Sequence, residues 1–446
     1  LTSALPVASL SRHMGPMPSP AKPRSSSGRR PADPPGTAPR RAALRLLDAV
    51  LRRGEPLEAA LPNATRGLEG ADRGLAHAIA AETLRRLPDL DALIDSATRQ
   101  RLPDDAKARM ALRVALVQTL ALGTPPHAAI ATVLPLVDGG PRKLVHGVFG
   151  ALNRGGAELP EQPSLPPEIA ERWGSYWGEG VVNAAASAIA APPPLDLTLA
   201  KADGLAPEGA SLAPDHRRIV EAAPVTTLAG YDEGAWWVQD VAASLPARLL
   251  GAGEGHVLDL CAAPGGKTMQ LAAAGWNVTA LEIAPSRAAR LHENLARTGL
   301  PAQVVIADAL DWAPAEPLDA ILLDAPCSAT GIFRRHPDVL YRAHPGIIAE
   351  MAALQARLLD RAAAWVRPGG RLVYATCSLE PAEGEEQLAR FLSAHPEYAV
   401  SPPSPGELPT GIAANEAGYV RTLPGTLADV GGCDGFFIVR LVRASA

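Results

Sequence analysis

The sequence predicts an α/β protein in which a parallel, doubly wound sheet follows an all-helical block and an irregular connector. Three observations lead there. Between residues 256 and 376, five short apolar runs (HVLDLC, NVTALEI, QVVIAD, DAILLDAP and RLVYAT) read as buried strands. Stretches between several of them, 267–274, 285–298 and 346–366, have helical spacing, and strand alternating with helix is the pattern of a parallel sheet covered on both faces. From residue 37 to 154 the period is helical, whereas from 155 to 235 neither period holds.

A chain of 446 residues exceeds what one core usually supports, so two or three domains are expected. Residues 1–36, rich in Pro, Ser and Arg, lack an apolar period and read as a disordered basic tail. Residues 37–155 form the helical block. There Ala43, Leu47, Val50 and Leu51 share one face ahead of a stop at Gly54, and Met110, Val114, Val117 and Ala121 make a second stripe behind Asp104 and Asp105. The connector, 156–235, shows one helix near 167–190 and a Pro-rich break at Pro192, Pro193 and Pro194. Residues 236–446 hold the sheet, which GFFIVRLV at 435–442 closes with a last strand.

At 47% hydrophobic and 20% charged residues, with no apolar run of the ~18 residues that a membrane span needs and no secretory signal, the chain reads as soluble and cytoplasmic. Its four cysteines, Cys261, Cys327, Cys377 and Cys433, form no CxxC pair, which argues against a disulfide framework and against a zinc site; no metal is expected. The net charge of −5 is unevenly spread. Residues 1–160 carry 22 Lys/Arg against 14 Asp/Glu, and the remainder 20 against 33, so a polyanion would meet the N-terminal part first, although such imbalances are also common on solvated faces. Only 5 of the 42 basic residues are Lys, and the phosphate contacts would be mostly bidentate ones from Arg.

In doubly wound sheets, ligands bind outside the carboxyl ends of the strands. That rim collects the reactive residues. The first strand runs into Cys261, Ala262, Ala263, Pro264, Gly265, Gly266 and Lys267, the second ends at Glu282, the third at Asp308, the fourth at Asp324 with Cys327 just beyond, and the fifth at Cys377. The two glycines let backbone approach a ligand, and Glu282 stands where a ribose-binding acid sits in nucleotide-binding units, although a lone acid there is more often a helix cap. The loop lacks GxGxxG, which favours a smaller adenosine-containing cofactor such as S-adenosylmethionine. A thiol near a methyl donor suits methylation of carbon 5 of cytosine, a poor nucleophile until a thiolate adds to carbon 6. A free thiol has a pKa near ~8.5, so the neighbourhood must favour the thiolate. One strand-end cysteine is usually inert and buried; two on the same rim point to chemistry.

Taken together, DLCAAPGGKT (259–268), LEIAPSRAARLHENLARTGL (281–300), LLDAPCSATGIFRRHPD (322–338) and YATCSL (374–379) resemble the signature segments of the Sun/Nop2 superfamily of RNA (cytosine-5)-methyltransferases. RRAALRLLDAVL (40–51), ADRGLAHAIAAETLR (71–85), PPHAAIATVLPLV (125–137) and KLVHGVFGALNR (143–154) resemble a NusB-like RNA-binding domain. This combination is that of the bacterial small-subunit rRNA methyltransferase B group. The resemblance implies a class I, Rossmann-like methyltransferase domain behind a NusB-like all-α domain, S-adenosylmethionine as cofactor and an unpaired cytosine of 16S rRNA as substrate. A monomer is expected. It implies Cys377 as the nucleophile on carbon 6 and Cys327 as the group assisting product release. Residues Cys261 to Lys267 with Glu282, Asp308 and Asp324 would hold the cofactor, Asp324 also touching the N3/N4 edge of the base. Arg334, Arg335 and His336 are candidate phosphate contacts. LDLTLAKAD (195–203) and His146 depart from the family's usual residues, and the first departure argues against RNA contacts from that segment. Two other readings are a tRNA cytosine-5 methyltransferase, which the catalytic motifs do not separate from an rRNA enzyme, and a non-catalytic RNA-binding or assembly factor, which would have no use for two rim thiols.

Overall fold

The computed structural model describes residues 33–190, 192–219 and 224–445, so most of the tail expected at 1–36 lies outside the described residues. Seven helices follow one another: α1 (Thr37–Arg53), α2 (Leu57–Ala64), α3 (Gly70–Arg85), α4 (Leu87–Ser96), α5 (Lys107–Leu120), α6 (Pro126–Val133) and α7 (Gly140–Arg154). Ala43, Leu47 and Val50 are buried, as the stripe on α1 requires. Gly54 ends that helix at φ 66°, its N–H bonded to the Val50 carbonyl and the next N–H to that of Ala49, a left-handed stop that glycine adopts without steric cost.

Helix α5 differs from its expected stripe. Every residue from Ala108 to Gln118 is buried, because α5 runs through the middle of the block against α1, α3, α4, α6 and α7, while Ala121 falls just past its end and is exposed. Two arginines come inside with it. Arg113 is bidentate to Asp91 at 2.7 and 2.7 Å, and Arg109 pairs with Asp95. Part of the basic excess is therefore spent internally, and five of the 22 basic residues precede residue 33.

The connector carries more structure than its sequence suggests. Gly178, at φ 83°, breaks the expected single helix into α8 (Pro167–Trp177) and α9 (Glu179–Ile189). Three short strands, β1 (Leu195–Leu199), β2 (His216–Ile219) and β3 (Trp236–Val238), form an antiparallel sheet with β1 central. Strands of three to five residues are too short to display a period. Asp196 in β1 is bidentate to Arg218 at 2.7 and 2.7 Å and also accepts from the N–H of Val241, tying this sheet to the next unit. Burial works against its charge, yet the Arg218 and His216 partners hold its carboxyl well below the usual range.

The main unit runs α10 (Val241–Leu250), β4 (His256–Leu260), α11 (Gly266–Ala273), β5 (Asn277–Glu282), α12 (Pro285–Thr298), β6 (Gln303–Ile306), β7 (Leu318–Asp324), α13 (Val339–Arg342), α14 (Pro345–Trp365), β8 (Val366–Thr376), α15 (Glu385–Ala394), β9 (Tyr398–Val400), β10 (Val420–Thr422) and β11 (Phe436–Arg443). The strand order is β10-β11-β8-β7-β4-β5-β6, with β9 also on β11. Strands β4 to β8 are parallel, whereas β11 lies antiparallel to β8, so the sheet is mixed. Leu358, Ala362 and Phe391 from α14 and α15 cover one face; Val241, Leu245 and Leu271 from α10 and α11 cover the other. After β6 the chain returns to the far side of β4, which puts the topological switch point between β4 and β7 and opens a crevice at their carboxyl ends.

Candidate active site

Beyond β4 the backbone turns sharply. Cys261 takes φ 62° and Gly265 φ 104°, and a Cβ added at Gly265 would lie 2.4 Å from Leu291 Cδ1. This turn leads directly into α11. Glu282, buried at the end of β5, braces it: Oε2 accepts from the N–H of Ala263 at 3.3 Å and Oε1 from that of Ala284 at 3.0 Å. Asp308, past β6, accepts from the N–H of Leu310 at 2.9 Å. Two cavities meet at Cys261. One, of about 130 Å³, is lined by Glu282, Ile283, Asp308 and Leu310; the other, of about 200 Å³, by Gln239, Asp259, Pro264, Lys267 and Asp324.

These residues fit S-adenosylmethionine. Asp259, wholly buried in β4, accepts from the Thr268 hydroxyl at 2.5 Å through Oδ2, but its Oδ1 has no partner within the protein. A buried carboxylate oxygen left open at the 200 Å³ cavity suits the ammonium of the cofactor's methionine part. At the other cavity, Glu282 and Asp308 stand beside Ile283, which is 60% exposed although large and apolar, a surface for an adenine ring. Sequence reading missed Asp259 because HVLDL scored as a plain buried strand. The acid inside that apolar run was the available signal.

The two thiols meet at the neighbouring strand ends. Strands β7 and β8 pair Asp324 with Ala375, the Ala325 N–H bonds the Ala375 carbonyl at 2.9 Å, and Cys327 Sγ lies 3.5 Å from Cys377 Sγ. Lys267 reaches the same place from α11, its Nζ 2.7 Å from Asp324 Oδ2 and 5.5 Å from the Phe436 ring centre. Burial opposes the ammonium, but Asp324 and, beyond it, Cys377 hold the Lys267 pKa above its ordinary value. The Cys327 pKa is raised by its hydrogen bond with Cys377, then by burial and by the negative charges of Cys377 and Glu383. Cys261 is pushed up to about 12, chiefly by burial. Cys433 is buried away from this rim, its sulfur directed at the Thr426 carbonyl.

One expectation is corrected here. Arg334, expected on a phosphate, is 3% exposed and bonds Asp434 at 2.7 Å, Asp240 at 2.6 Å and the Gly431 carbonyl at 2.9 Å; Arg335 shares Asp240 at 2.9 Å. Both guanidiniums are consumed by a buried ionic cluster. Glu383, a residue the sequence did not single out, is buried against both thiol loops. The connector braces the same region, since Arg172 and Trp173 bond Glu380 while Trp177 bonds the Leu379 carbonyl at 2.9 Å. Among the described residues no cluster of three His, Cys, Asp or Glu is placed to hold a metal, and no helix is long and apolar enough to cross a membrane.

Residues 248–442 match the family of the 16S rRNA methyltransferase RsmB/F, and residues 37–149 match the NusB family. The chain is similar to ribosomal RNA small subunit methyltransferase B of Xylella fastidiosa (strain Temecula1), with 36% identity over 438 residues covering 92% of this chain and 98% of the relative. The protein of the same name from Pseudomonas syringae pv. tomato is 34% identical, covering 92% and 97%, and that from Pseudomonas putida 35%, covering 92% and 99%. In fold the chain is similar to the crystal structure of PH0851 (TM-score 0.70, 24% identity, 92% of this chain and 99% of that one) and to NSun6 from Pyrococcus horikoshii with SFG (TM-score 0.55, 17% identity, 64% and 99%). With that identity along nearly the whole length, a methyl-donor crevice at the switch point and a NusB block in front, the chain belongs to the ribosomal RNA small subunit methyltransferase B family, and its cofactor is S-adenosylmethionine.

Proposed function

We propose that the protein methylates carbon 5 of an unpaired cytosine in 16S rRNA through a covalent bond between Cys377 and carbon 6, with Cys327 assisting release. The observation that carries this reading is the pair of sulfurs 3.5 Å apart on the rim, beside Lys267 and Asp324 and next to the cofactor crevice. Bound S-adenosylmethionine supplies an electrophilic methyl group. The protein's part is to make the base nucleophilic. The Lys267 ammonium, kept charged by Asp324, interacts electrostatically with Cys377, the group that attacks. Addition of the Cys377 thiolate to carbon 6 gives carbon 5 enamine character. Asp324, 30% exposed, accepts from the N4 amino group of the base and bonds N3 through a shared proton. When carbon 5 has been methylated and loses its proton, the carbon 6–sulfur bond breaks and the thiolate returns; Cys327, in contact with Cys377, is placed to act at this step.

Within this reading residues 37–155 are an RNA-binding domain, 156–235 a connector that holds the thiol loops, and 236–446 the methyltransferase domain, with Glu282 on the ribose and Asp308 near the adenine. A target base must leave its stack to reach half-buried thiols, which favours an unpaired cytosine. Incubation with S-adenosylmethionine and 16S rRNA tests the mechanism. Cys377→Ala is expected to abolish methylation, and Cys327→Ala to accumulate a protein–RNA adduct that survives denaturing electrophoresis. Methylation by Cys377→Ala at the wild-type rate would exclude the covalent route. Bisulfite sequencing of rRNA from a deletion strain identifies the nucleotide; an unchanged 16S pattern would favour a tRNA substrate.

A further inference from the structure

One buried carboxylate ties both thiol loops together. Glu383 lies in the short 3-10 turn Pro381–Glu383 ahead of α15 and has 0% exposure. Its Oε1 accepts from the backbone N–H of Ser328 at 2.9 Å and from the Gln355 amide at 3.0 Å. Its Oε2 accepts from the Ser328 hydroxyl and, at 2.5 Å, from the Ser378 hydroxyl. Its main-chain carbonyl accepts from Tyr374 Oη at 2.7 Å and Thr376 Oγ1 at 3.0 Å. Ser328 directly follows Cys327, and Ser378 directly follows Cys377.

Removing a carboxylate from water is costly, and well-packed apolar side chains would stabilise such a site at least as well. Burial raises the Glu383 pKa, opposed by its bonds to Ser328, Ser378 and Gln355. The side-chain bonds go to the segments beside the thiols rather than to the sheet. Gln355 extends the brace, since its amide also bonds the carbonyl of Pro326, immediately before Cys327. Both thiol loops are thus referenced to one pair of oxygens.

We propose that Glu383 is the positioning residue of the thiol pair, setting the separation of Cys327 and Cys377 through Ser328 and Ser378. Its catalytic consequence rests on the cysteine mechanism above, but the separation itself is measurable in the folded protein without RNA. The probe is diamide, a diazene oxidant. Its N=N bond takes up two hydrogens to become a hydrazine while the two thiols lose them and form one S–S bond. From sulfur contact to bond length the atoms need approach by only about 1.5 Å, so the native wild-type protein is expected to close a Cys327–Cys377 disulfide readily, mapped by peptide mass spectrometry. Glu383→Gln, which keeps the shape and can hydrogen-bond both serines, is expected to close within about threefold of wild type, and Glu383→Ala at least about tenfold more slowly. In methylation assays Glu383→Ala is expected to lose kcat by a similar factor while its KM for S-adenosylmethionine stays within about twofold.

Closure of Glu383→Ala at the wild-type rate would overturn the proposal, and so would a Glu383→Gln protein as slow as Glu383→Ala. Should Glu383→Ala fail to fold by circular dichroism, Ser378→Ala removes one tether and is expected to close about threefold more slowly; a wild-type rate there also overturns it. Slowed closure combined with an active Cys377→Ala enzyme would remove the cysteine mechanism and leave the positioning role standing.

Discussion

Asp259 sits inside β4 with one oxygen on Thr268 and the other unpaired. Burial first, and the nearby Asp324 and Glu282, push its pKa up to about 7 against the pull of Thr268 and Lys267. An unfolded aspartate releases its proton near ~4. Between those values the folded apoprotein binds more protons at this site than the unfolded chain, so the contribution of Asp259 to stability falls as pH rises from ~4 to ~7 and is level above. Asp434, raised to about 6, titrates in the same direction, so the comparison must be with a variant. By calorimetry, the Tm advantage of Asp259→Asn over wild type in the apoprotein should be larger at pH 7 than at pH 5. The same variant should bind S-adenosylmethionine about tenfold more weakly by titration calorimetry, having lost a charged partner for the ammonium. At this scale residue identity was legible and pairing was not. Cys327 and Cys377 stood out as rim thiols, but nothing in two segments 50 positions apart states a sulfur separation of 3.5 Å.

Elements deliver those side chains, and close backbone contacts set where each element stops. Gly331, four residues beyond Cys327, donates to the Cys377 carbonyl at 2.9 Å and accepts from the Gly435 N–H at 2.9 Å; an added Cβ would come within 1.9 Å of the Gly435 carbonyl oxygen. Gly331→Ala must therefore force the Cys327 loop away from the ends of β8 and β11. A loss of about 1–3 kcal/mol in urea unfolding is expected, together with a larger fall in methylation than in cofactor affinity, because Gly265 and Glu282 are untouched. Four of the five strands were legible as buried at this scale, since a doubly covered sheet requires continuous apolar runs; the fifth, QVVIAD, is the edge strand β6, paired on one side only, with no residue buried and Ile306 exposed. Helix α12 was legible to the residue, at Pro285–Thr298. The connector sheet escaped, because β1 to β3 depend on pairing across distant segments, and the all-round burial of α5 escaped because Arg109 and Arg113 can be buried only with Asp95 and Asp91 brought beside them from α4.

In the whole molecule the helical block, connector and sheet are joined by buried polar contacts centred on the segment after Cys327. Asp338 accepts from the N–H of Leu57 at 3.2 Å, Tyr341 bonds the Leu84 carbonyl at 2.8 Å, Arg172 of the connector bonds the Ala343 carbonyl at 3.1 Å, and Arg334 links Asp240 to Asp434 within the sheet unit. Arg334→Ala leaves two buried carboxylates unpaired by their principal cation, and a loss of about 3–5 kcal/mol is expected in equilibrium unfolding. If that variant instead kept its stability and lost RNA affinity in a filter-binding assay, the phosphate-contact reading would stand after all. The strand–helix alternation, the rim on which the reactive residues gather and the family they signal could all be read from the order of residues alone, because periodicity, strand ends and motif spacing are local properties of the chain. Folding in three dimensions was needed to show that Arg334 and Arg335 serve the fold, that Asp259 keeps an oxygen open beside the cofactor loop, and that Glu383 holds both thiol loops. Those outcomes depend on burial and on partners brought from distant positions, and a charged residue looks the same in sequence whether it meets water or another charge.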